Sequence, residues 1–198
     1  DIVNARARAH KLSLQYNQTY EFDKSEREQI LNELLPHRAE GVYLQGPIYF
    51  DFGTNTTFGK RSYANFNFTV LDISPVTIGK DVFIGPNVSL LTPLHPLCPI
   101  DRNLYFSNKK GYMTQHEYGA PITIGNDCWI AGNVTVCGGV TIGDGCVIGA
   151  GSVVTRDIPP NSLAVGNPCR VLRQITEADR MKNHPELFAD DDFDEVAK

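Results

Sequence analysis

The sequence predicts a mainly β fold: a three-sided parallel β-helix wound from six-residue units, with short helices in front, one long excursion loop, and a short C-terminal helix and tail. Two observations predict it. From Ile124 the chain reads in sixes as IGNDCW, IAGNVT, VCGGVT, IGDGCV, IGAGSV and VTRDIP, and two earlier units, IGKDVF from Ile78 and IGPNVS from Ile84, carry the same pattern. Every first position is Ile or Val (Ile124, Ile130, Val136, Ile142, Ile148, Val154), and most fifth positions are small or aliphatic (Cys128, Val134, Val140, Cys146, Ser152, Ile158).

A six-residue period suits a short strand plus a turn, and Gly or Asn near the unit boundaries permits tight left-handed corners. One unit cannot bury its own apolar face, so successive coils must stack. With three units per coil, Ile124 stacks on Ile142, Ile130 on Ile148 and Val136 on Val154, at roughly the 4.8 Å of a parallel ladder. The same stacking sets Cys128 over Cys146, read as two reduced thiols.

The front, residues 1–40, reads as a helical cap. Ser25 with Glu28 forms a capping-box pattern, Ile30, Leu31, Leu34 and Leu35 follow at helical spacing, and Pro36 stops the helix. Residues 41–175 read as the β-helix. Its first coils (Ile48–Asn55, Thr56–Asp72, Ile73–Pro75) are irregular, with Phe50, Phe52, Phe58 and Phe66 expected to plug or line the open end. Between His95 and Pro121 the hexads vanish, and residues 96–120 read as a long loop leaving the prism, a kind of segment that is usually functional. Residues 176–198 read as a C-terminal helix, started at Thr176 and Asp179, and an acidic tail.

Composition narrows the function classes. The 198 residues carry 41% hydrophobic and 21% charged side chains and a net charge of −5. That balance argues against bulk electrostatic binding to nucleic acid or an anionic membrane. No stretch approaches the roughly 20 apolar residues that span a bilayer, and no secretory signal pattern stands at the front. The cysteines, Cys98, Cys128, Cys137, Cys146 and Cys169, number five and show no zinc spacing. They imply a reducing, cytoplasmic compartment and are read as small buried hydrophobes.

The hexads, the segment SYANFNFTVLD (62–72), TPLHP (92–96) and AVGNPCRVLRQI (164–175) together resemble the maltose/galactoside acetyltransferases, hexapeptide-repeat transferases, over nearly all of the chain. The front helices resemble the family's helical cap without its usual first segment. The resemblance implies a left-handed hand for the β-helix and a homotrimer with active sites between subunits. It also implies acetyl-CoA as donor, with direct transfer to a hydroxyl of a sugar acceptor and no metal.

Residue by residue, the resemblance gives His95, in the His-Pro pair, as the general base. Histidine suits the task because its ordinary titration leaves a neutral acceptor near pH 7. Asp51 and Asn65 are expected on the acceptor side, where carboxylates and amides pair with sugar hydroxyls. A backbone N–H near Gly132 is the candidate donor to the developing oxyanion, although the family often has a small hydroxyl residue there. On the donor side Trp129 lines the cleft, Ala150 and Thr155 give contacts along the stacked coils, and Arg156, Arg170 and Arg173 face the phosphates. His10, His37, His116 and His184 are left without a role, although His116 lies in the loop within reach of the cleft.

Where the galactoside-type pattern has Asp, this sequence has Ile73, and LDISP looks more like the maltose-type variant. A xenobiotic acetyltransferase shares His and prism and is the nearest alternative. A γ-class carbonic anhydrase needs three histidines on zinc, a serine acetyltransferase needs a large helical front, and a non-catalytic scaffold would tolerate loss of His95.

Overall fold

A computed structural model describes residues 2–184 and residue 186; the acidic tail expected from Asp190 lies outside the described residues. Two helices, α1 (Ile2–Gln18) and α2 (Lys24–Leu34), precede a parallel β-solenoid with three faces. The first face stacks the strands Tyr43–Leu44, Tyr63–Ala64, Phe83–Ile84, Trp129–Ile130, Val147–Ile148 and Ser162–Val165, closed by the antiparallel strand Arg170–Gln174. The second stacks Ile48–Phe50, Phe68–Leu71, Ser89–Leu91, Thr135–Cys137 and Val153–Val154, and the third Thr56–Phe58, Val76–Ile78, Ile122–Ile124 and Thr141–Ile142.

The inward files are those the hexads predict. Ile78, Ile124 and Ile142 pair in register, as do Ile84, Ile130 and Ile148, and Leu90, Val136 and Val154. All nine are essentially removed from solvent and belong to one core. Each such side chain contributes roughly 1.5–3 kcal/mol by leaving water.

The corners follow from backbone demands. Asn67, Asn87 and Asn133 occupy one corner with φ of 58° each, a left-handed conformation that Asn tolerates better than most residues. Their amides form a ladder, with Asn67 Nδ2 donating to Asn87 Oδ1 (3.0 Å) and Asn87 Nδ2 to Asn133 Oδ1 (3.1 Å). At another corner glycine is required by space: a Cβ on Gly79 would lie 2.6 Å from the Gly125 carbonyl carbon. This is why Gly follows the inward aliphatic residue in so many units.

The period corrects the sequence reading in the first coils. Trp129 stacks on Val147, a step of 18, but Tyr43 stacks on Tyr63 and Tyr63 on Phe83, steps of 20. The two extra residues sit at the corner between the second and third faces. There Asp72 is fully buried, accepting from Phe52 N–H (2.8 Å) and from the Thr56 hydroxyl (2.9 Å). Phe50, Phe52 and Phe58 are buried as expected, but Phe66 is 49% exposed, and Phe68 takes the inward place. The left-handed residue Asn67 turns the corner between them, so Phe66 is a corner residue and Phe68 the inward fifth position, as Val88 is in the next coil.

The helices close the open end of the prism. Ala9, Leu12, Tyr16, Leu31, Leu34 and Leu35 join the core of Leu44, Phe50 and Phe58. The first rung has carbonyls with no preceding coil to use them. The Tyr16 hydroxyl donates to Leu44 O, and the buried Arg27 guanidinium donates to Leu44 O (3.1 Å) and Gln45 O (2.6 Å). Burial pushes the Tyr16 phenol up to about 12. The Ser25 capping box is not formed: Asp23 holds the N-cap position, without a side-chain cap bond, and Glu28 pairs with Arg38 at 2.8 Å.

Two further expectations are corrected. Residues 96–120 are structured, with a short helix α3 (Pro99–Arg102), a hairpin pairing Tyr105–Ser107 with Tyr112–Thr114, and an antiparallel return of Tyr118–Gly119 along Pro93–Leu94. The cysteines are free, but only Cys128, Cys146 and Cys169 are buried; Cys98 is exposed on the excursion and Cys137 is half-buried. A hydrogen bond with Cys146 and burial push the Cys128 thiol up, so it stays protonated. At the C-terminal side Thr176 and Asp179 form a capping box on a 3-10 turn, Glu177–Asp179.

Candidate active site

The register assigns each candidate residue to a place on the prism. Asn65, Gly132 and Ala150 lie along the corner between the first and second faces: Asn65 N–H donates to Ile84 O (2.9 Å), and Gly132 O accepts from Gly151 N–H (3.0 Å). Asp51, Thr155 and Arg156 lie along the next corner, between the second and third faces, where the excursion carrying His95 also leaves. Trp129 stands on the first face, 55% exposed, in one file with Tyr43, Tyr63, Phe83, Val147, Leu163 and Arg173. A single chain therefore spreads its candidate residues over three places: the two opposite margins of the second face, and the first face, which carries Trp129 and Arg173.

His95 is exposed, held by two consecutive residues of the returning excursion. Its Nδ1 lies 3.2 Å from the His116 carbonyl oxygen, and its Nε2 lies 3.7 Å from Glu117 Oε1. A carbonyl only accepts, so Nδ1 carries the proton and Nε2 presents the lone pair. That is the tautomer a general base requires. Glu117 and Tyr105, which stacks on the His116 ring at 5.0 Å, were not singled out in the sequence. The excursion has no periodicity, so no spacing signal reveals which of its residues return to His95.

Asp51 is engaged within its own chain, 3.2 Å from His10 Nε2 and 3.4 Å from Arg6 Nη2. It opens on a cavity of about 310 Å3 between α1 and the first coils, lined also by Ser13, Asn17, Tyr49 and Leu71. His10, given no role from the sequence, belongs to this cavity. Its lining mixes the polar groups of His10, Ser13, Asn17 and Asp51 with Leu14, Tyr49 and Leu71.

The apolar file Phe83, Trp129, Val147 and Leu163, exposed at the first two and half-buried at the last two, runs down the first face to Arg173. Arg173 makes a two-pronged ion pair with Asp179 (2.9 and 2.7 Å), which pushes the Asp179 carboxyl down to about 2. Arg170 donates to Cys169 O (2.7 Å). Among the described residues no three His, Cys, Asp or Glu side chains converge as a metal site would require, and no helix is long and apolar enough to cross a membrane.

The chain is similar to known proteins. Residues 121–156 match the bacterial transferase hexapeptide model, residues 75–91 the hexapeptide repeat of succinyl-transferase, and residues 1–38 the maltose acetyltransferase hexapeptide capping motif. The galactoside O-acetyltransferase of Escherichia coli (strain K12) is 43% identical over 88% of this chain and 81% of its own length. A putative acetyltransferase of Saccharomyces cerevisiae, YJL218W, is 41% identical over 90% and 86%. Among solved structures, a galactoside acetyltransferase in complex with coenzyme A superposes with a TM-score of 0.79 at 42% identity, covering 90% of this chain and 84% of that one. A maltose O-acetyltransferase from Clostridium difficile 630 gives 0.78 at 40% identity, covering 89% of each chain. The architecture is thus the left-handed β-helix, and the chain belongs to the maltose/galactoside acetyltransferase family of hexapeptide-repeat transferases.

Proposed function

We propose that this acetyltransferase moves the acetyl group of acetyl-CoA directly onto a sugar hydroxyl, of a maltose- or glucose-like or a galactoside acceptor, with His95 as general base. The observation that carries the reading is the tautomer of His95, whose Nδ1 faces the His116 carbonyl at 3.2 Å and whose Nε2 is left to take a proton.

Asp51 and Asn65 bind the acceptor. Trp129, Ala150 and Thr155 hold the pantetheine arm, and Arg156, Arg170 and Arg173 the phosphates. The backbone at Gly132 donates to the oxyanion, where electrostatic help acts on the charge that develops. The donor supplies the activated thioester, and His95 takes the acceptor proton.

The two groups of residues on opposite margins of the second face meet when chains associate, so the enzyme is a homotrimer whose sites each draw on two subunits. The exposed aromatic file on the first face supports association, since apolar patches of this extent mark interaction surfaces. Residues 1–40 cap the prism, 41–175 form the catalytic body, and free cysteines fit a cytoplasmic enzyme.

The reading is tested with a panel of sugars and acetyl-CoA, following release of free thiol. Wild-type protein is expected to turn over at least one sugar, and His95→Ala to lose that turnover. Wild-type turnover of none of the sugars, or undiminished turnover by His95→Ala, contradicts it.

A further inference from the structure

We infer that the side chain of His116 is a positioning device for the base: it ties the excursion into a closed circuit that holds the His116 carbonyl against His95. The inference rests on the reading of His95 as general base and names what keeps that base in its working tautomer.

The circuit has three joints. The first is the contact of His95 Nδ1 with the His116 carbonyl oxygen at 3.2 Å. The second is the His116 ring, whose Nδ1 lies 3.0 Å from Asp101 O on α3 and whose Nε2 lies 3.3 Å from the Tyr105 hydroxyl on the hairpin. The third leads back to the start. Arg102, also on α3, donates from Nη1 to Leu97 O at 3.2 Å and to Pro96 O at 3.5 Å, the two residues that follow His95. One residue therefore joins the departing strand, the helix, the hairpin and the return. Its main chain meets the base, and its side chain meets two other parts of the excursion.

The proton positions agree around the circuit. Asp101 O only accepts, so the His116 ring carries its proton on Nδ1 and accepts from the Tyr105 hydroxyl at Nε2. Tyr105 also stacks on that ring, with centroids 5.0 Å apart and 23° between the planes. His95, Asp101, Arg102, Tyr105 and His116 are all exposed, and none belongs to the core of the prism. The circuit thus governs local geometry, not the stability of the solenoid. A general base must lie within hydrogen-bond reach of the proton it takes, and a displacement of about 1 Å can cost about 100-fold in rate. Without the ring of His116 the returning backbone is untied from α3 and the hairpin, and His95 Nδ1 loses its fixed acceptor.

His116→Ala, His116→Asn and His95→Ala are compared by thiol release with acetyl-CoA and a sugar that the wild-type enzyme acetylates, and by melting temperature. Nitrogen NMR of histidine-labelled protein reads the tautomer, with the His95 signals identified by their loss in His95→Ala. The Asn amide nitrogen stands where Nδ1 of His116 stands, so it can still donate to Asp101 O. His116→Ala is expected to lower kcat by about 10- to 100-fold, with KM for donor and sugar within about twofold. The His95 ring should pass from a single Nδ1–H tautomer to a mixture. His116→Asn should restore most of kcat and the single tautomer, and melting should not change. Near-normal kcat in His116→Ala overturns the inference. So does a lowered kcat with the His95 tautomer unaltered, a loss confined to sugar KM, which would make His116 an acceptor ligand, or an equal loss in both variants with lowered melting, which would make it structural. If His95→Ala loses turnover while His116→Ala keeps rate and tautomer, only this inference fails; if His95→Ala keeps turnover, the base reading fails first.

Discussion

His95 combines a fixed tautomer with an exposed Nε2, and the energetic consequence is direct. General-base catalysis is commonly worth 10²- to 10⁴-fold, so His95→Ala should lower kcat by about that factor while leaving acetyl-CoA affinity near wild type, as equilibrium binding checks. The arginines, in the reading proposed, act on binding instead. Arg173 shares its charge with Asp179, whereas no carboxylate pairs with Arg170 among the described residues. Arg173→Ala should therefore cost more than Arg170→Ala, because it removes a cation and also leaves Asp179 as an uncompensated anion. We expect donor KM to rise by about tenfold, roughly 1.4 kcal/mol, with sugar KM unchanged; equal changes in both KM values would remove Arg173 from the donor side.

The elements show which parts of the fold the sequence could carry. From Ile124 onward the six-residue period survives because each turn is a minimal one, with a Gly or Asn at the left-handed or crowded position. Before Ile78 the same architecture is harder to read, since two additional residues per coil at the second corner break the phase. Phe66 was misread for a different reason: it is the third, corner residue of its unit, while Phe68 holds the inward fifth position. Asp72 is the physical reason the wider corner is stable. Its carboxylate serves the Phe52 N–H and the Thr56 hydroxyl in a site closed to water. Asp72→Ala should leave two buried donors unsatisfied, at about 1–3 kcal/mol each. The expected outcome is a lower urea midpoint with an unchanged m-value. An unaltered midpoint would mean that the corner relaxes without its carboxylate.

At the scale of the whole molecule, the sequence nominated His95 and Asn65 through the His-Pro and Tyr-Ala-Asn-Phe motifs, Arg170 and Arg173 through the exit segment, and Trp129 and Arg156 through their places in the hexads. Glu117 and His10 reach their sites by tertiary routes, an antiparallel return and a helix laid over the first coils, and leave no sequence pattern. The register explains why the motifs, although contiguous in the family sense, do not form one site in one chain. Asn65 and Gly132 edge one margin of the second face and His95 departs from the other, separated by the breadth of a strand and its turns, on the order of 15 Å. In the homotrimer we propose, that gap closes because the margin of one subunit lies beside the other margin of its neighbour, as in a cyclic head-to-tail interface.

The most direct measurement is complementation between two inactive proteins. His95→Ala and Asn65→Ala are each purified, confirmed to lack acetyl transfer, then unfolded and refolded together in equal amounts. Sites shared between subunits predict that activity returns, in about one site in four, where an intact His95 faces an intact Asn65. A refolded mixture that exchanges subunits yet remains as inactive as its components would place both residues of each site in a single chain and contradict the shared cleft.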